Sequence, residues 1–134
     1  MLLLIGATVI AGILGSLTDW LFMGVVFHDA YNTYPEVWRP GLAGGNDKKA
    51  IMLSSLIGFA MTIAVVALCW LAGVSDMIHG LGVAVLAWIA GPLAVTLING
   101  LYIKFDPRII VAHSAGYLLR FALAGIAAGL ALPV

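Results

Sequence analysis

Charged residues are scarce in this chain of 134 residues, and that scarcity is the strongest constraint on what the protein can be. Only 9% of the residues are Asp, Glu, Lys or Arg, whereas 63% are hydrophobic and the mean hydropathy is +1.15. A soluble domain averages about 25% charged residues. The composition therefore excludes a soluble globular domain, and the formal net charge of zero gives no electrostatic case for binding nucleic acid.

Motifs for catalysis or cofactor binding are missing as well. The chain has one cysteine, which excludes an intrachain disulfide, and it contains no phosphate-binding glycine loop, HExxH pattern or CxxC pair. His113 and Ser114 are adjacent, so on a helix they point about 100° apart and do not suit a nucleophile and its base. We therefore expect neither enzymatic activity nor a cofactor or metal.

Four long apolar segments make up most of the chain. A helix needs about 20 apolar residues to cross a hydrocarbon core of about 30 Å, and four segments reach that length. Residues 1–134 therefore predict a single all-α domain, a bundle of four transmembrane helices. The predicted helices cover residues 2–27, 49–73, 76–104 and 107–132.

Several of the predicted helix ends carry a recognisable capping residue. Asp106 followed by Pro107 indicates the start of the fourth helix, because an acidic N-cap and a proline at the first helical position both suit the free N–H groups there. The other predicted boundary residues are Asn46 or Asp47 before the second helix, Ser75 before the third and Pro133 after the fourth.

Residues 29–47 form the one substantial connection between the predicted helices. Aromatic residues stand beside a cation there, a composition typical of a membrane interface. Pro35 is predicted to begin a short surface helix within this segment. The predicted interfacial anchors are Tyr31, Tyr34, Trp38 and Arg39.

The Lys and Arg residues near the helix ends predict the orientation of the chain. All five of them flank the first and third connections: Arg39, Lys48, Lys49, Lys104 and Arg108. By the positive-inside rule these two connections are cytoplasmic, and both termini lie on the other side. Since no organellar targeting segment is visible, the expected location is a bacterial inner membrane.

Asp19 and Arg120 are the only charged residues deep inside the predicted helices. At 1.5 Å per residue they lie roughly 14 and 18 Å from the cytoplasmic end, so they can share a level in the membrane. An isolated charge there costs about 2.5–3.5 kcal/mol, which predicts an ion pair between them. Two interpretations of the pair stay open: it fixes the registration of the helices, or it serves transport or proton relay.

Other polar residues extend this predicted buried cluster. His113 and Tyr117 share a helical face with Arg120, because residues three and four apart lie on the same side of a helix. Asn99 of the third helix has a depth similar to that of His113 and is predicted to hydrogen-bond across the bundle. The predicted cluster is therefore Asp19, Asn99, His113, Tyr117 and Arg120.

Pro92 and two histidines leave a ligand site open as an alternative. Pro92 removes one backbone hydrogen bond from the third helix, which predicts a kink that is either packed or part of a ligand site. His28 and His113 enter the bilayer from the same side, so opposed imidazoles have the donor atoms for a haem or a metal. A histidine at a helix end is more often an interfacial hydrogen-bonding group, so the metal site is the lesser interpretation.

Short motifs in three parts of the chain resemble those of a known family. They are Gly12–Phe22 in the first helix, Trp38 in the loop, and Asn99-Gly100-Leu101-Tyr102 with Ala115-Gly116-Tyr117 towards the end. With them the chain resembles the small bacterial membrane proteins catalogued as domain of unknown function seventeen sixty-one. The resemblance covers most of the chain and implies a four-helix integral membrane protein without an established activity. The chain departs from the family at the aromatic pair of the first helix, where it has Asp19-Trp20.

Two functions from different classes remain open at this point. In the first, the chain is a non-enzymatic module that assembles with itself or with a larger membrane complex, held together by Asp19 and Arg120. In the second, it is a small carrier or channel for an ion or small molecule, and Asp19, Arg120, Asn99 and His113 line an intramembrane polar cavity. An enzyme acting on lipid headgroups is a third interpretation. The expected partners are the lipid bilayer and further protein subunits, and not nucleic acid.

Overall fold

Four helices are long and apolar enough to cross a membrane, as the sequence predicts. The computed structural model describes residues 1–40 and 48–132. Within these residues the chain forms helices and no β-strand, so the predicted all-α class is confirmed. The four helices are α1 (Leu2–Val26), α2 (Lys48–Leu71), α3 (Met77–Tyr102) and α4 (Pro107–Ala131).

Helix α4 is the centre of the bundle. It packs against α1, α2 and α3, most extensively against α1 and α3, whereas α2 makes smaller contacts with α1 and α3. The α3 to α4 contact is close because Gly80 lies against Gly125, and a Cβ on either residue would meet the carbonyl oxygen of the other. Small residues at such positions let transmembrane helices approach closely. The central position of α4 explains how its side chains reach polar groups on several helices.

Small side chains fill the interior, and large apolar side chains point outward. Ala84, Ala124 and Ala128 are fully buried, whereas Trp70 is 65% exposed and Leu86 is 68% exposed. A soluble protein rarely exposes a contiguous apolar surface of this extent, but in lipid such a surface carries no penalty. This distribution is compatible with a multi-pass membrane protein.

The capping prediction is confirmed for α4 and is wrong for α3. Asp106 is the N-cap of α4, and its carboxylate accepts a hydrogen bond from the backbone N–H of Arg108. Asp76, and not Ser75, caps α3, because the Asp76 carboxylate accepts a hydrogen bond from the backbone N–H of His79. The remaining predicted boundary residues, Asn46, Asp47 and Pro133, lie outside the described residues.

The helices end slightly earlier than predicted. Helix α2 ends at Leu71, and Gly73 follows with a φ of +67°, a left-handed conformation that favours glycine after a helix. Helix α3 ends at Tyr102, because Ile103 takes an extended conformation. The predicted ends at residues 73 and 104 are therefore each two residues too late.

Two parts of the helices are π-helical. Trp20–Val26 completes α1 directly after Asp19, and Ile89–Leu93 interrupts α3 around Pro92. A π-helix bonds residue i to residue i+5, so it accommodates an extra residue and the missing N–H of a proline. The break at Pro92 is predicted from the sequence, whereas nothing in the sequence indicates the one after Asp19.

The described part of the α1–α2 loop contains two short 3-10 helices, His28–Asn32 and Pro35–Val37. The second confirms the predicted short helix at Pro35, as a single turn. The indole of Trp38 donates a hydrogen bond to the carbonyl oxygen of Tyr31 at 2.7 Å. This bond ties the two 3-10 helices together.

Candidate functional site

Arg120 lies in the middle of α4 with 0% of its surface exposed. A guanidinium group carries five N–H donors, and every one of them has an acceptor here. Nε and Nη2 donate to Oδ2 of Asp19 at 3.0 and 2.7 Å. Nη1 donates to the Gly58 carbonyl at 2.5 Å and to Thr62 Oγ1 at 3.1 Å, and Nη2 also donates to Ser16 Oγ at 3.3 Å. The predicted ion pair is thus part of a network that joins α1, α2 and α4.

The two hydroxyl groups in this network are oriented to receive the guanidinium. Ser16 donates its own proton to the Gly12 carbonyl, and Thr62 donates its proton to the Gly58 carbonyl. Their oxygen lone pairs are therefore free to accept from Arg120. Both hydroxyl groups are therefore acceptors for a buried cation.

Two glycines make room for the guanidinium. A Cβ at Gly15 would lie 3.0 Å from Cγ of Arg120, and a Cβ at Gly58 would lie 2.7 Å from Nη2. Both glycines are buried in the packed helices. Gly15 shares a helical face with Asp19 in the sequence, but the role of Gly58 depends on how α2 is placed and is not visible there.

The second carboxylate oxygen of Asp19, Oδ1, takes no part in the bonds to Arg120. Oδ1 is buried and has no hydrogen-bond partner among the residues that the structure describes. It faces Gly116 of α4, where a Cβ would lie 3.3 Å away, and the whole Asp19 side chain is 20% exposed. Asp19 therefore keeps one free acceptor after pairing with Arg120.

His113 and Tyr117 lie at the same end of α4 and contact each other. Their rings meet edge to face with centroids 5.7 Å apart, and His113 Nε2 is 2.8 Å from Tyr31 Oη. Both rings are half-buried. This part of the predicted cluster is a contact between α4 and the α1–α2 loop, and no hydrogen bond of the described residues links it to Arg120.

Asn99 does not belong to the buried cluster, so that prediction is wrong. Its side chain is exposed on the outside of α3. The residue of this turn that faces α4 is Gly100, where a Cβ would meet Cδ1 of Ile110. Successive helical residues point about 100° apart, so packing through Gly100 turns Asn99 away from the interior.

The structure gives no support for a shared site of His28 and His113. The contacts of His113 are with Tyr31 and Tyr117. In residues 1–40 and 48–132 no group of three or more His, Cys, Asp or Glu residues is close enough to hold a metal ion. The Nε2 atom of His113 pairs with the hydroxyl of Tyr31, and no contact among the described residues brings His113 to His28.

The predicted aromatic anchors pack on protein. Tyr31 contacts Trp38 with ring centroids 5.4 Å apart, and Trp38 stacks on Phe105 at 6.3 Å. Lys104 Nζ lies 4.3 Å from the ring centroid of Tyr34. The predicted anchors Tyr31, Tyr34 and Trp38 are half-buried against the α3–α4 connection. The fourth predicted anchor, Arg39, is exposed.

A polar cluster fixes the same loop to the start of α4. Arg108 pairs with Asp29 at 2.6 Å and with Asp106 at 2.8 Å, and Thr33 donates to Asp106 Oδ2 at 2.9 Å. The hydrogen bonds from Arg108 hold the pKa of the Asp106 carboxyl well below its usual range. Burial raises the pKa of the Tyr31 hydroxyl. The loop is therefore held by an ionised carboxylate and a neutral phenol.

Comparisons of the chain with protein-family models, with curated proteins and with solved structures give no match. The resemblance to the domain of unknown function seventeen sixty-one family stays a prediction that rests on the motifs quoted above. Function is therefore argued from the geometry of the Arg120 network and from the surface of the bundle.

Proposed function

We propose that this chain is a non-enzymatic, multi-pass membrane module that works by assembling with copies of itself or with a larger complex in a bacterial inner membrane. The observation that carries the proposal is the saturated Arg120 guanidinium, which is fully buried and uses all five of its N–H donors inside the bundle. A cation bound in this way holds three helices in register and has no free donor to offer a passing ion or substrate.

The outer surface of the bundle supports the same proposal. Large apolar side chains cover α2 and α3, and only 22% and 6% of their most apolar stretches are buried inside the bundle. Such faces are suited to lipid or to the helices of a partner. In this proposal the positive-inside rule places the α1–α2 and α3–α4 connections in the cytoplasm and both termini on the opposite side.

The deciding experiment removes the ion pair in two steps. Asp19→Asn leaves a buried guanidinium without its counter-charge, and breaking a buried pair in this way costs roughly 3–5 kcal/mol. Adding Arg120→Met removes the orphaned charge, so the double variant is expected to recover part of the lost stability. Thermal unfolding in detergent and the size of the particle in lipid nanodiscs report folding and assembly.

Ion and proton flux through reconstituted vesicles is measured on the same variants. The proposal expects no flux above that of empty vesicles for the unmodified protein. Asp76→Asn, which neutralises an exposed carboxylate at an α3 end, is the matched control for the loss of a negative charge. Stable Asp19→Asn protein that has lost a flux present in the unmodified protein would refute the proposal.

A small carrier or channel is the second candidate, and one observation favours it. Asp19 Oδ1 is buried without a partner among the described residues, and the side chain as a whole is 20% exposed. An intramembrane carboxylate with a free oxygen is a typical proton or cation acceptor. Asn99 lies outside the bundle, so this candidate function would involve Asp19 without it.

A further inference from the structure

Most of the hydroxyl side chains in the four helices are satisfied by their own helix. Each of the following donates a hydrogen bond to a carbonyl three or four residues earlier: Thr8, Ser16, Thr18, Ser54, Ser55 and Thr62. The hydroxyl of Ser114 in α4 is buried without a hydrogen-bond partner among the described residues. The side chains of Asn99 and Thr96, both in α3, likewise have no such partner there. These two residues are three apart and therefore share one side of the helix.

The unpaired amide of Asn99 lies near the end of α3 that leads into the α3–α4 connection. A side-chain amide has two donors and an acceptor, and in hydrocarbon each needs a partner. Asn99 precedes the end of α3 at Tyr102 by three residues, which is roughly 4.5 Å along the helix. Thr96 lies a further turn into the membrane. Of these two polar side chains, Asn99 is exposed on the outward face of α3 and Thr96 is half-buried beside it.

Helix α3 is also the least covered helix of the bundle. Only 6% of its most apolar stretch is buried, compared with 39% for α4. Around Asn99 the surface is apolar and open, because Val95 is 56% exposed and Ile98 is 53% exposed. Asn99 is therefore a polar centre within an apolar face that has no partner in the bundle.

We propose that this face of α3 binds a second copy of the chain, with Asn99 hydrogen-bonded to the partner's Asn99. Two copies inserted in the same orientation place the same residue at the same depth. An amide is its own complement because it both donates and accepts, so a two-fold axis along the membrane normal pairs the two side chains. This inference rests on the proposed assembly function and names the surface and the partner.

The first test measures dimerisation in lipid vesicles by energy transfer between two labelled populations of the full chain. Asn99→Leu removes the hydrogen bonds but keeps a side chain of similar size, and it is expected to weaken the dimer about tenfold, a typical effect of an interhelical hydrogen bond. Asn99→Gln keeps the amide and is expected to retain most of the association. Ser54→Ala on the exposed surface of α2 is the matched control and is expected to have no effect.

The second test maps the interface by oxidative cross-linking. Val95→Cys lies four residues before Asn99 on the same helical face, whereas Leu56→Cys lies on α2 and is 61% exposed. Both are exposed apolar positions, and the native Cys69 is buried and does not interfere. The proposal expects disulfide dimers for Val95→Cys, fewer when Asn99→Leu is added, and none above background for Leu56→Cys.

The outcomes separate this proposal from the wider one. Dimers that cross-link through Leu56→Cys, or that persist unchanged in Asn99→Leu, would overturn the α3 interface and leave an assembly function intact. A chain that stays monomeric at high protein-to-lipid ratio would overturn the α3 interface and assign Asn99 to interfacial water or headgroups. The flux measurement tests the wider proposal separately, because flux of the unmodified protein that depends on Asp19 would overturn the assembly function.

Discussion

The guanidinium of Arg120 donates two hydrogen bonds to a single oxygen of Asp19, from Nε at 3.0 Å and from Nη2 at 2.7 Å. The two residues are 101 positions apart, so this contact joins the first and last helices of the chain. Since the remaining N–H groups bind α1 and α2, one side chain of α4 sets the relative position of three helices. Changes to this side chain, or to the space around it, should therefore affect the whole bundle.

Replacing Arg120 by lysine keeps the charge but removes the planar group. A lysine ammonium has three donors, so at least two of the five hydrogen bonds are lost and the paired geometry at Asp19 cannot form. We expect a loss of about 2–4 kcal/mol in the free energy of unfolding, because hydrogen bonds to charged groups contribute about 1.5–3 kcal/mol each. Thermal unfolding in detergent measures it, with Arg39→Lys as an exposed control. Equal stability of the two variants would contradict the network.

Substitution of Gly58 by a residue with a side chain should destabilise the bundle. In Gly58→Ala the new Cβ would lie 2.7 Å from Nη2 of Arg120, so the guanidinium has to move away from its partners. We expect a destabilisation of about 1–3 kcal/mol, typical of overpacking in a filled interior. Gly82→Ala on α3 is the matched control, because nothing lies within 4 Å of its Cβ position and alanine favours a helix by up to about 1 kcal/mol. An unfolding measurement is expected to show a lower free energy of unfolding for Gly58→Ala and a higher one for Gly82→Ala than for the unmodified protein.

Docking of the α1–α2 loop should weaken in acid. Because hydrogen bonds from Arg108 depress the pKa of Asp106, the stabilisation by this carboxylate is complete above the ordinary aspartate pKa of about 4 and is lost as the pH falls below it. Hydrogen exchange of residues 28–38, corrected for its intrinsic pH dependence, is expected to accelerate below about pH 4. Asp106→Asn is expected to exchange fast at neutral pH already. Exchange in that variant that still slows as the pH rises through this range would contradict the assignment.

The hydroxyl of Tyr31 should hold the loop at its other end. Tyr31→Phe removes the 2.8 Å hydrogen bond to His113 Nε2 but leaves the ring contact with Trp38 in place. A loss of about 0.5–1.5 kcal/mol in loop protection is expected, the usual net contribution of one hydrogen bond. Hydrogen exchange of residues 28–38 at neutral pH reports the opening of the loop. Tyr102→Phe changes a residue that is 85% exposed and should leave this exchange unchanged.

Several features of this protein could be predicted from its sequence, because each depends on a single strong physical effect. The length and composition of the apolar segments predict four helices that are able to cross a membrane. The free-energy cost of an isolated charge in the membrane favours an ion pair between Asp19 and Arg120. The start of α4 depends only on Asp106 and Pro107, whose local geometry suits a helix N-terminus. None of these inferences needs to know how a helix is rotated in the bundle.

The rotation of the helices is what only the tertiary structure decided. A transmembrane helix is apolar on the side facing lipid and on the side facing its neighbours, so hydrophobicity does not indicate which side is inward. For this reason the sequence placed Asn99 inside the bundle, whereas packing through Gly100 turns it outward. It also missed Gly58 as an acceptor for Arg120. The sequence by itself determined the helices and the charge pair, and close packing of small residues determined which side chains meet.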